Sequence, residues 1–459
     1  MSAISVELRR IRASPIARNA GWMVLGQGSG FLLQSAYFIL IARLLGPSEY
    51  GLYAGAFALT SILGQYSAMG SGTLFLRYVT VDRKQFSIYW GNILVTTTVT
   101  SVLIVAVLAF LSGRVLGPGT RTITLLAALA NCFCFQLTAS AARVFQTFEQ
   151  LRITAGLTLA NNLARTLAAA VMLIALHRAN AYQWSVATLA LSLLTATLSV
   201  LVVTVSFGRP SFSFDQMRRN LLEGFGYSFA SSTATAYNDV DKAMLSYCGM
   251  NAANGIYSMA YRIIDVATIP VLAVREAAMP HFFRTGIAGI RSAAPFAFRL
   301  LKRTIPIGVL AALAILVTAP LVPRLAGSGF QETVPALRWL CLIPFFRSLH
   351  QISGSAITGS GLQRYRTISQ MLAVGLNVGL NVWLIPQYGW LGAAWSSLAT
   401  DGMLAVVNCG TLVVIYWFAG LAATIQRAQL PSLQAQFSDS VSVQSTESVH
   451  GKARISSAS

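Results

Sequence analysis

Apolar runs of about 20 residues recur from residue 19 to residue 418 and are separated by short polar turns. A helix that crosses the hydrocarbon core of a bilayer needs roughly that many consecutive apolar residues. The pattern therefore predicts an all-α polytopic membrane protein with about 12 transmembrane helices. The predicted spans are 19–43, 50–75, 87–112, 121–146, 153–177, 183–207, 224–248, 254–282, 302–323, 334–359, 366–386 and 391–418.

The composition leads to the same class of protein. Of the 459 residues, 55% are hydrophobic and only 10% are charged, and the mean hydropathy is +0.62. Soluble domains contain about 25% charged residues, and a single soluble core stops growing at roughly 250–300 residues. The surplus apolar surface must therefore face lipid.

The basic residues between the spans predict an orientation. With the N-terminus inside, the cytoplasmic stretches hold 22 Lys and Arg residues and the opposite side holds six. Because cytoplasmic loops carry such an excess, both termini are predicted to be cytoplasmic. The same loops account for most of the net charge of +19. Attraction to anionic membrane lipids is the ordinary consequence of this charge, and a nucleic-acid partner is not needed to explain it.

A short motif occurs at the start of the second span and again at the start of the eighth. Gly51 and Tyr53 in the first copy correspond to Gly255 and Tyr257 in the second, 204 residues later. We expect the glycines to permit tight turns and the tyrosines to lie in the interfacial belt of the membrane. Two sets of six spans that begin on the same side predict two bundles related by a parallel repeat, with a substrate site between them.

The repeat divides the chain into five parts. These are a cytoplasmic N-terminal segment, a first six-helix bundle, a basic cytoplasmic linker, a second six-helix bundle and a Ser- and Gln-rich cytoplasmic tail. The composition of the tail predicts disorder. The corresponding ranges are 1–18, 19–207, 208–223, 224–418 and 419–459.

Charged residues within the predicted spans are costly, at about 2.5–3.5 kcal/mol for each Asp, Lys or Arg in the middle of a helix. Span 7 contains Asp239 and Lys242, which lie three residues apart and share a helix face. Span 8 contains a pair with the same spacing, Arg262 and Asp265. These residues either line a polar cavity or form interior ion pairs that lock the helices together. The in-span charges that we single out are Arg165, Asp239, Asp241, Lys242, Arg262, Asp265, Arg347 and Asp401.

Sequence patterns for catalysis are missing. The chain contains no Walker loop, no Ser/His/Asp or Cys/His constellation and no Cys/His cluster with metal-ligand spacing. Gly26, Gly28 and Gly30 lie inside a hydrophobic span without a preceding strand, so we interpret them as packing residues. We therefore predict no catalytic residue, no metal and no enzymatic activity.

Two segments carry a resemblance to a known family. Residues 39–59 read ILIARLLGPSEYGLYAGAFAL, and residues 376–401 read LNVGLNVWLIPQYGWLGAAWSSLATD. The first is similar to the signature between the first two helices of Wzx-type polysaccharide-lipid flippases of the MOP superfamily. The second resembles their helix 11–12 hairpin. The likeness covers roughly residues 16–418, and the superfamily also contains MATE drug exporters and the lipid II flippase.

The resemblance implies a function in the bacterial inner membrane. It implies a transporter that flips undecaprenyl-diphosphate-linked oligosaccharide units for O-antigen or exopolysaccharide biosynthesis by alternating access. In this interpretation the cations Arg165, Lys242, Arg262 and Arg347 meet the diphosphate. The carboxylates Asp239, Asp241, Asp265 and Asp401 are candidates for binding a coupling proton or sodium ion; no other cofactor is expected. Other membrane proteins of polysaccharide assembly are expected partners.

Three alternatives stay open at this point. A MATE-like multidrug exporter should present carboxylates and aromatic rings to its substrate without an excess of cations. Five in-span cations disfavour it: Arg165, Lys242, Arg262, Arg275 and Arg347. Lipid II flippases usually carry two additional helices, which this sequence lacks. A membrane-embedded polymerase or ligase should have a long periplasmic loop, and the longest here, near 324–333, has about ten residues.

Overall fold

The protein is described here by a computed structural model, which covers residues 15–115 and 118–418. These residues form helices joined by short connections and include no strand. The helices are α1 (Pro15–Ser67), α2 (Ser71–Val79), α3 (Phe86–Val115), α4 (Pro118–Ala128), α5 (Phe135–Thr147), α6 (Leu151–Leu176), α7 (Ala181–Phe207), α8 (Phe214–Tyr247), α9 (Asn251–Gly286), α10 (Ile290–Thr318), α11 (Val322–Ala326), α12 (Thr333–Leu340), α13 (Ile343–Gly359), α14 (Gln363–Tyr388) and α15 (Trp390–Phe418). A π-helical segment, Leu129–Cys134, joins α4 to α5.

The prediction of an all-α polytopic membrane protein is confirmed. Eight helical stretches of the described chain are long and apolar enough to cross a membrane. The other predicted spans fall on helices that are interrupted or polar. Two of them form the arms of α1, one is α8 with its charged residues, and one is split between α12 and α13.

Some predicted boundaries differ from the helix ends. The predicted linker 208–223 is partly helical, because α8 already begins at Phe214. Hydrogen bonds from the backbone N–H groups of Ser211 and Ser213 to Ser87 and Asn92 attach this segment to the start of α3. The predicted tail 419–459 and residues 1–14 of the predicted N-terminal segment lie outside the described residues.

The helix α1 turns back on itself at Gly46. This glycine has φ 69° and ψ 173°, which only a residue without a side chain adopts readily, and Pro47 starts the second arm. Tyr37 and Tyr53, which would be about 24 Å apart in a straight helix, both contact Trp184, at ring-centroid distances of 5.9 and 6.5 Å. The two arms therefore run side by side.

The repeated motifs pack against each other at this turn. The side-chain amide of Asn254 donates a hydrogen bond to the carbonyl of Gly51 at 2.7 Å. A Cβ atom at Gly51 would lie 1.8 Å from the carbonyl oxygen of Asn251, and one at Gly255 would lie 1.9 Å from that of Pro47. The corresponding glycines of the two halves thus allow direct backbone contact. We call this region the Gly46 end of the molecule.

The tyrosines of the motif are not interfacial, and that expectation was wrong. Tyr53 is 6% exposed and Tyr257 is 0% exposed, and both belong to the main hydrophobic core. Because the motif lies at the contact between the two halves, its aromatic residues are covered by the other helices and do not reach the membrane surface.

The helix α8 also joins the halves at the opposite end, which we call the Gly70 end. Gly70 has φ +65°, and a Cβ atom there would lie 2.3 Å from the carbonyl oxygen of Gly224. Arg77 forms an ion pair with Glu223 at 2.6 Å, and the hydroxyl of Tyr78 donates a hydrogen bond to the same carboxylate at 2.9 Å. The two halves are therefore in contact at both ends, through α1 and α9 at the Gly46 end and through the start of α2 and α8 at the Gly70 end.

We predict that Gly255→Val lowers the melting temperature of the purified protein, because overpacking a close contact costs about 1–3 kcal/mol. The matched control is Gly375→Val in α14, where a Cβ atom added to the glycine would have no other atom within 4 Å. Both variants introduce the same β-branched side chain into a helix. Equal melting temperatures for the two variants would show that the backbone contact at the Gly46 end does not limit stability.

Candidate functional site

The charged residues of α8 point to different surroundings because of their spacing along the helix. Asp239 and Lys242 share a face, and the ammonium of Lys242 lies 2.8 Å from the Asp239 carboxylate. It also donates a hydrogen bond to the backbone carbonyl of Asn238 and lies 4.4 Å from the ring centroid of Tyr261 on α9. This face of α8 therefore holds a cation that is buried but compensated.

A second ion cluster joins α9 to α13 around one carboxylate. Arg347 of α13 contacts Asp265 at 2.9 Å, and Arg262, one turn before Asp265, contacts its other oxygen at 3.6 Å. Arg347 also donates a hydrogen bond to the side-chain oxygen of Asn238 at 3.3 Å. Arg262 lies over the ring of Phe38 at 4.5 Å and so reaches the first half of the molecule.

These two clusters face a common cavity, which we call the second-half cavity. It has a volume of about 290 Å³ and lies between α8, α9 and α13. Its lining contains three cations, Lys242, Arg262 and Arg347, and two carboxylates, Asp239 and Asp265. The charges on its walls therefore sum to one positive charge.

A second cavity, of about 110 Å³, lies between the two arms of α1 and α6, and we call it the first-half cavity. Its cations are Arg165 and Arg262, and its lining contains no carboxylate. Arg165 donates a hydrogen bond to the hydroxyl of Tyr37 at 2.9 Å and lies between the rings of Tyr37 and Phe135. Its guanidinium forms no ion pair with any residue that the structure describes. Because Arg262 lines both cavities, they adjoin at this residue.

A third cavity, of about 210 Å³, is mostly apolar and lies between α1 and α9. Phe38, Val266 and Ile269 contribute apolar side chains to it, and Arg262, Asp265 and Arg347 also line it. The positively charged region of the interior is therefore continuous with an apolar groove.

Asp241 faces away from the cavities. It is 0% exposed and accepts hydrogen bonds from the hydroxyl of Tyr257, from that of Ser397 at 3.0 Å and from the backbone N–H of Lys242 at 2.7 Å. The ammonium of Lys242 lies 3.7 Å from it. Asp241 therefore lies behind the cavity wall, among α8, α9 and α15, and Lys242 lies between it and Asp239.

Asp401 is buried in the same half at another contact between helices. Its carboxylate lies 3.2 Å from the ring nitrogen Nε2 of His350. The side-chain amide of Asn408 in turn donates a hydrogen bond to the backbone carbonyl of His350. Asp401 therefore joins α15 to α13.

The structure brings together six of the eight predicted residues. The four predicted cations line the adjoining cavities, and Asp239 and Asp265 lie among them, whereas Asp241 and Asp401 do not. The sequence analysis missed Gln34, Tyr37 and Tyr261, which also line the cavities. A glutamine within an apolar span is the signal that points to Gln34; the tyrosines carry no such signal, because they are as common in packed cores.

The fold and the charged interior define a multi-pass membrane protein with two helical halves around a polar centre. The model of the polysaccharide biosynthesis protein family matches residues 16–285. The chain therefore belongs to this family. No curated protein sequence matches the chain.

The solved structures that this chain resembles in fold include transporters and a flippase. An inward-facing MATE multidrug transporter aligns with TM-score 0.67 and 15% identity over 87% of this chain and 96% of its own. The lipid II flippase MurJ in an inward closed conformation aligns with TM-score 0.69 and 11% identity over 86% and 87%. A MOP superfamily transporter from Pyrococcus furiosus, for which a binding pocket of reverse polarity is described, aligns with TM-score 0.59 and 14% identity over 88% and 97%.

We predict that the losses of stability caused by Asp265→Asn and by Arg347→Gln do not add in a double-mutant cycle of thermal unfolding. Removing one partner leaves an uncompensated charge, so the second substitution should restore part of the stability, with a coupling of about 0.5–3 kcal/mol. The control cycle combines Asp265→Asn with Lys302→Gln, an exposed cation of α10, and should be additive. Additivity in both cycles would mean that the interaction between Asp265 and Arg347 contributes nothing to the stability of the protein.

Proposed function

We propose that this protein flips a diphosphate-linked oligosaccharide on a polyprenyl lipid across the bacterial inner membrane. The observation that carries the proposal is the excess of cations in the adjoining cavities. Arg165, Lys242, Arg262 and Arg347 are opposed there by only two carboxylates, Asp239 and Asp265. A cation excess in a low-dielectric interior attracts an anionic substrate, and guanidinium groups bind phosphate oxygens bidentately.

The rest of the cavity system suits the other parts of such a lipid. The mostly apolar groove between α1 and α9 begins beside Arg262 and can receive the first units of a polyprenyl chain. Membership in the polysaccharide biosynthesis family, and a fold shared with a lipid II flippase, support a lipid-linked substrate. Other membrane proteins of polysaccharide assembly would supply this substrate and receive the product.

The closed Gly46 end supports alternating access. There the halves touch through Gly51, Gly255 and Asn254, and separating this contact would open the interior on that side. The distribution of loop charge supports cytoplasmic termini. In this orientation the Gly46 end faces the periplasm, and the substrate enters from the cytoplasmic leaflet.

A coupling proton or sodium ion would act best at Asp241. The hydroxyl groups of Tyr257 and Ser397 surround this carboxylate with oxygen atoms, and its neighbour Lys242 lines the cavity. Neutralising Asp241 would weaken its attraction for Lys242. The ammonium would then be freer to bind an anionic substrate, which links ion binding to substrate binding. Asp239 and Asp265 are weaker candidates because they pair with a cavity cation at 2.8 and 2.9 Å, closer than the 3.7 Å between Asp241 and Lys242.

We expect Lys242→Ala and Arg262→Ala to abolish surface polysaccharide export in a deletion strain while the protein level stays normal. Each substitution removes a cation from the centre of the cavity system. Lys302→Ala, outside the cavities, is the control and should restore export. Export is measured as the amount of polysaccharide on the cell surface. Lipid-linked repeat units should accumulate in the deletion strain.

Three outcomes would reject the proposal. Full export by both alanine variants would exclude a role for the cation excess. An unchanged pool of lipid-linked sugar with new sensitivity to cationic drugs would favour a MATE-like exporter. Accumulation of peptidoglycan precursors would favour a lipid II flippase.

A further inference from the structure

The two cavities differ in the chemistry of their walls. The second-half cavity carries ion pairs beside its aromatic and amide groups, whereas the first-half cavity places aromatic rings and side-chain amides around Arg165 without a carboxylate in its lining. The aromatic and amide groups that line the first-half cavity include Gln34, Tyr37, Phe38, Tyr50, Tyr53 and Asn162.

Several polar groups of the first-half cavity have no partner in the part of the chain that the structure describes. The side-chain amides of Gln34 and Asn162 form no hydrogen bond there, although both line the cavity. The Nε atoms of Arg165 and Arg262 are buried and also lack a partner. Buried polar groups are normally hydrogen-bonded, so the two Nε atoms are suited to a ligand with several hydroxyl groups. Gln34 is exposed and Asn162 is half-buried, so their amides are accessible to the same ligand.

The charge of this cavity excludes one class of ligand. Its two guanidinium groups are not opposed by any carboxylate in its lining, so an organic cation would be repelled even though the aromatic rings could otherwise bind it. A sugar fits both features, because aromatic rings pack against its apolar C–H faces and amides hydrogen-bond to its hydroxyl groups.

Resting on the function proposed above, we propose that the first-half cavity binds the sugar residue attached to the diphosphate. The diphosphate lies at Lys242, Arg262 and Arg347 in the second-half cavity. Because Arg262 lines both cavities, a sugar linked to a diphosphate at that residue enters the first-half cavity directly. Gln34 and Asn162 bind its hydroxyl groups, and Arg165 either supports them or contacts an acidic substituent.

Binding of short-chain lipids to the purified full-length protein in lipid nanodiscs tests this assignment. The probes are farnesyl diphosphate and its glucosyl, galactosyl and N-acetylglucosaminyl conjugates. The variants are Gln34→Ala and Asn162→Ala in the first-half cavity and Lys242→Ala in the second. Gln146→Ala, an exposed glutamine of α5 outside both cavities, is the matched control.

At least one conjugate should bind the wild-type protein about tenfold more tightly than farnesyl diphosphate. Asn162→Ala should weaken binding of that conjugate about three- to tenfold, the value of one or two hydrogen bonds, and leave farnesyl diphosphate binding unchanged. Gln34→Ala should weaken binding of the conjugate by a similar factor and more than it weakens binding of farnesyl diphosphate, because Gln34 also lines the apolar groove. Lys242→Ala should weaken the binding of all probes by the same factor, and the control substitution should leave the binding of every probe unchanged.

The proposal is overturned if no conjugate binds more tightly than farnesyl diphosphate. It is also overturned if the two amide variants weaken binding of farnesyl diphosphate as much as binding of its conjugates. The first-half cavity would then be a second phosphate site. Failure of every probe to bind the wild-type protein would instead reject the proposed function itself. Because both amides face a cavity, normal elution of the variants on size exclusion confirms that they fold.

Discussion

The cost of burying charge between membrane-spanning helices determines how the centre of this protein is built. Asp265 is held by Arg347 and Arg262, and Lys242 lies between Asp239 and Asp241, so that carboxylates compensate most of the interior cations. Such pairs are weak sources of stability, because desolvation offsets most of the attraction. Their value is that they hold cations at the cavity wall. Arg165, which pairs with none of the described carboxylates, adds the positive charge that an anionic substrate can neutralise.

Backbone contact between the halves is the second constraint, and it explains why the motif is repeated in both halves. Gly51 and Gly255 occupy corresponding places in the two halves and let their backbones touch at the Gly46 end. At the Gly70 end, Gly70, just before α2, and Gly224 of α8 make the same kind of contact. Contacts made by glycine backbone contain few side chains that would have to rearrange in the proposed alternating access.

The sequence predicted the class of fold because span length, loop charge and repeat spacing are local or additive properties. It also identified the interior charges, because each is unusual in an apolar run. It could not assign them to a cavity: Asp239 and Asp241 are two residues apart in one helix, and only packing against α9 and α15 decides that the first faces the cavity and the second does not. Gln34 was missed although a glutamine in an apolar span is a signal, and Asn162, next to Asn161, was not assigned to the site because amides in a span are also compatible with helix packing. Tyr53 and Tyr257 were misplaced because the contact between the halves was unknown.

The account depends on transfer of an anionic lipid-linked sugar through the interior. Reconstitution into proteoliposomes, with a fluorescent farnesyl-diphosphoryl sugar in the outer leaflet and a membrane-impermeant quencher added at successive times, measures this directly. The account predicts protein-dependent movement of the probe to the inner leaflet, faster than in vesicles without protein. Unchanged exposure of the probe, in vesicles where the same protein transports a fluorescent organic cation, would contradict it.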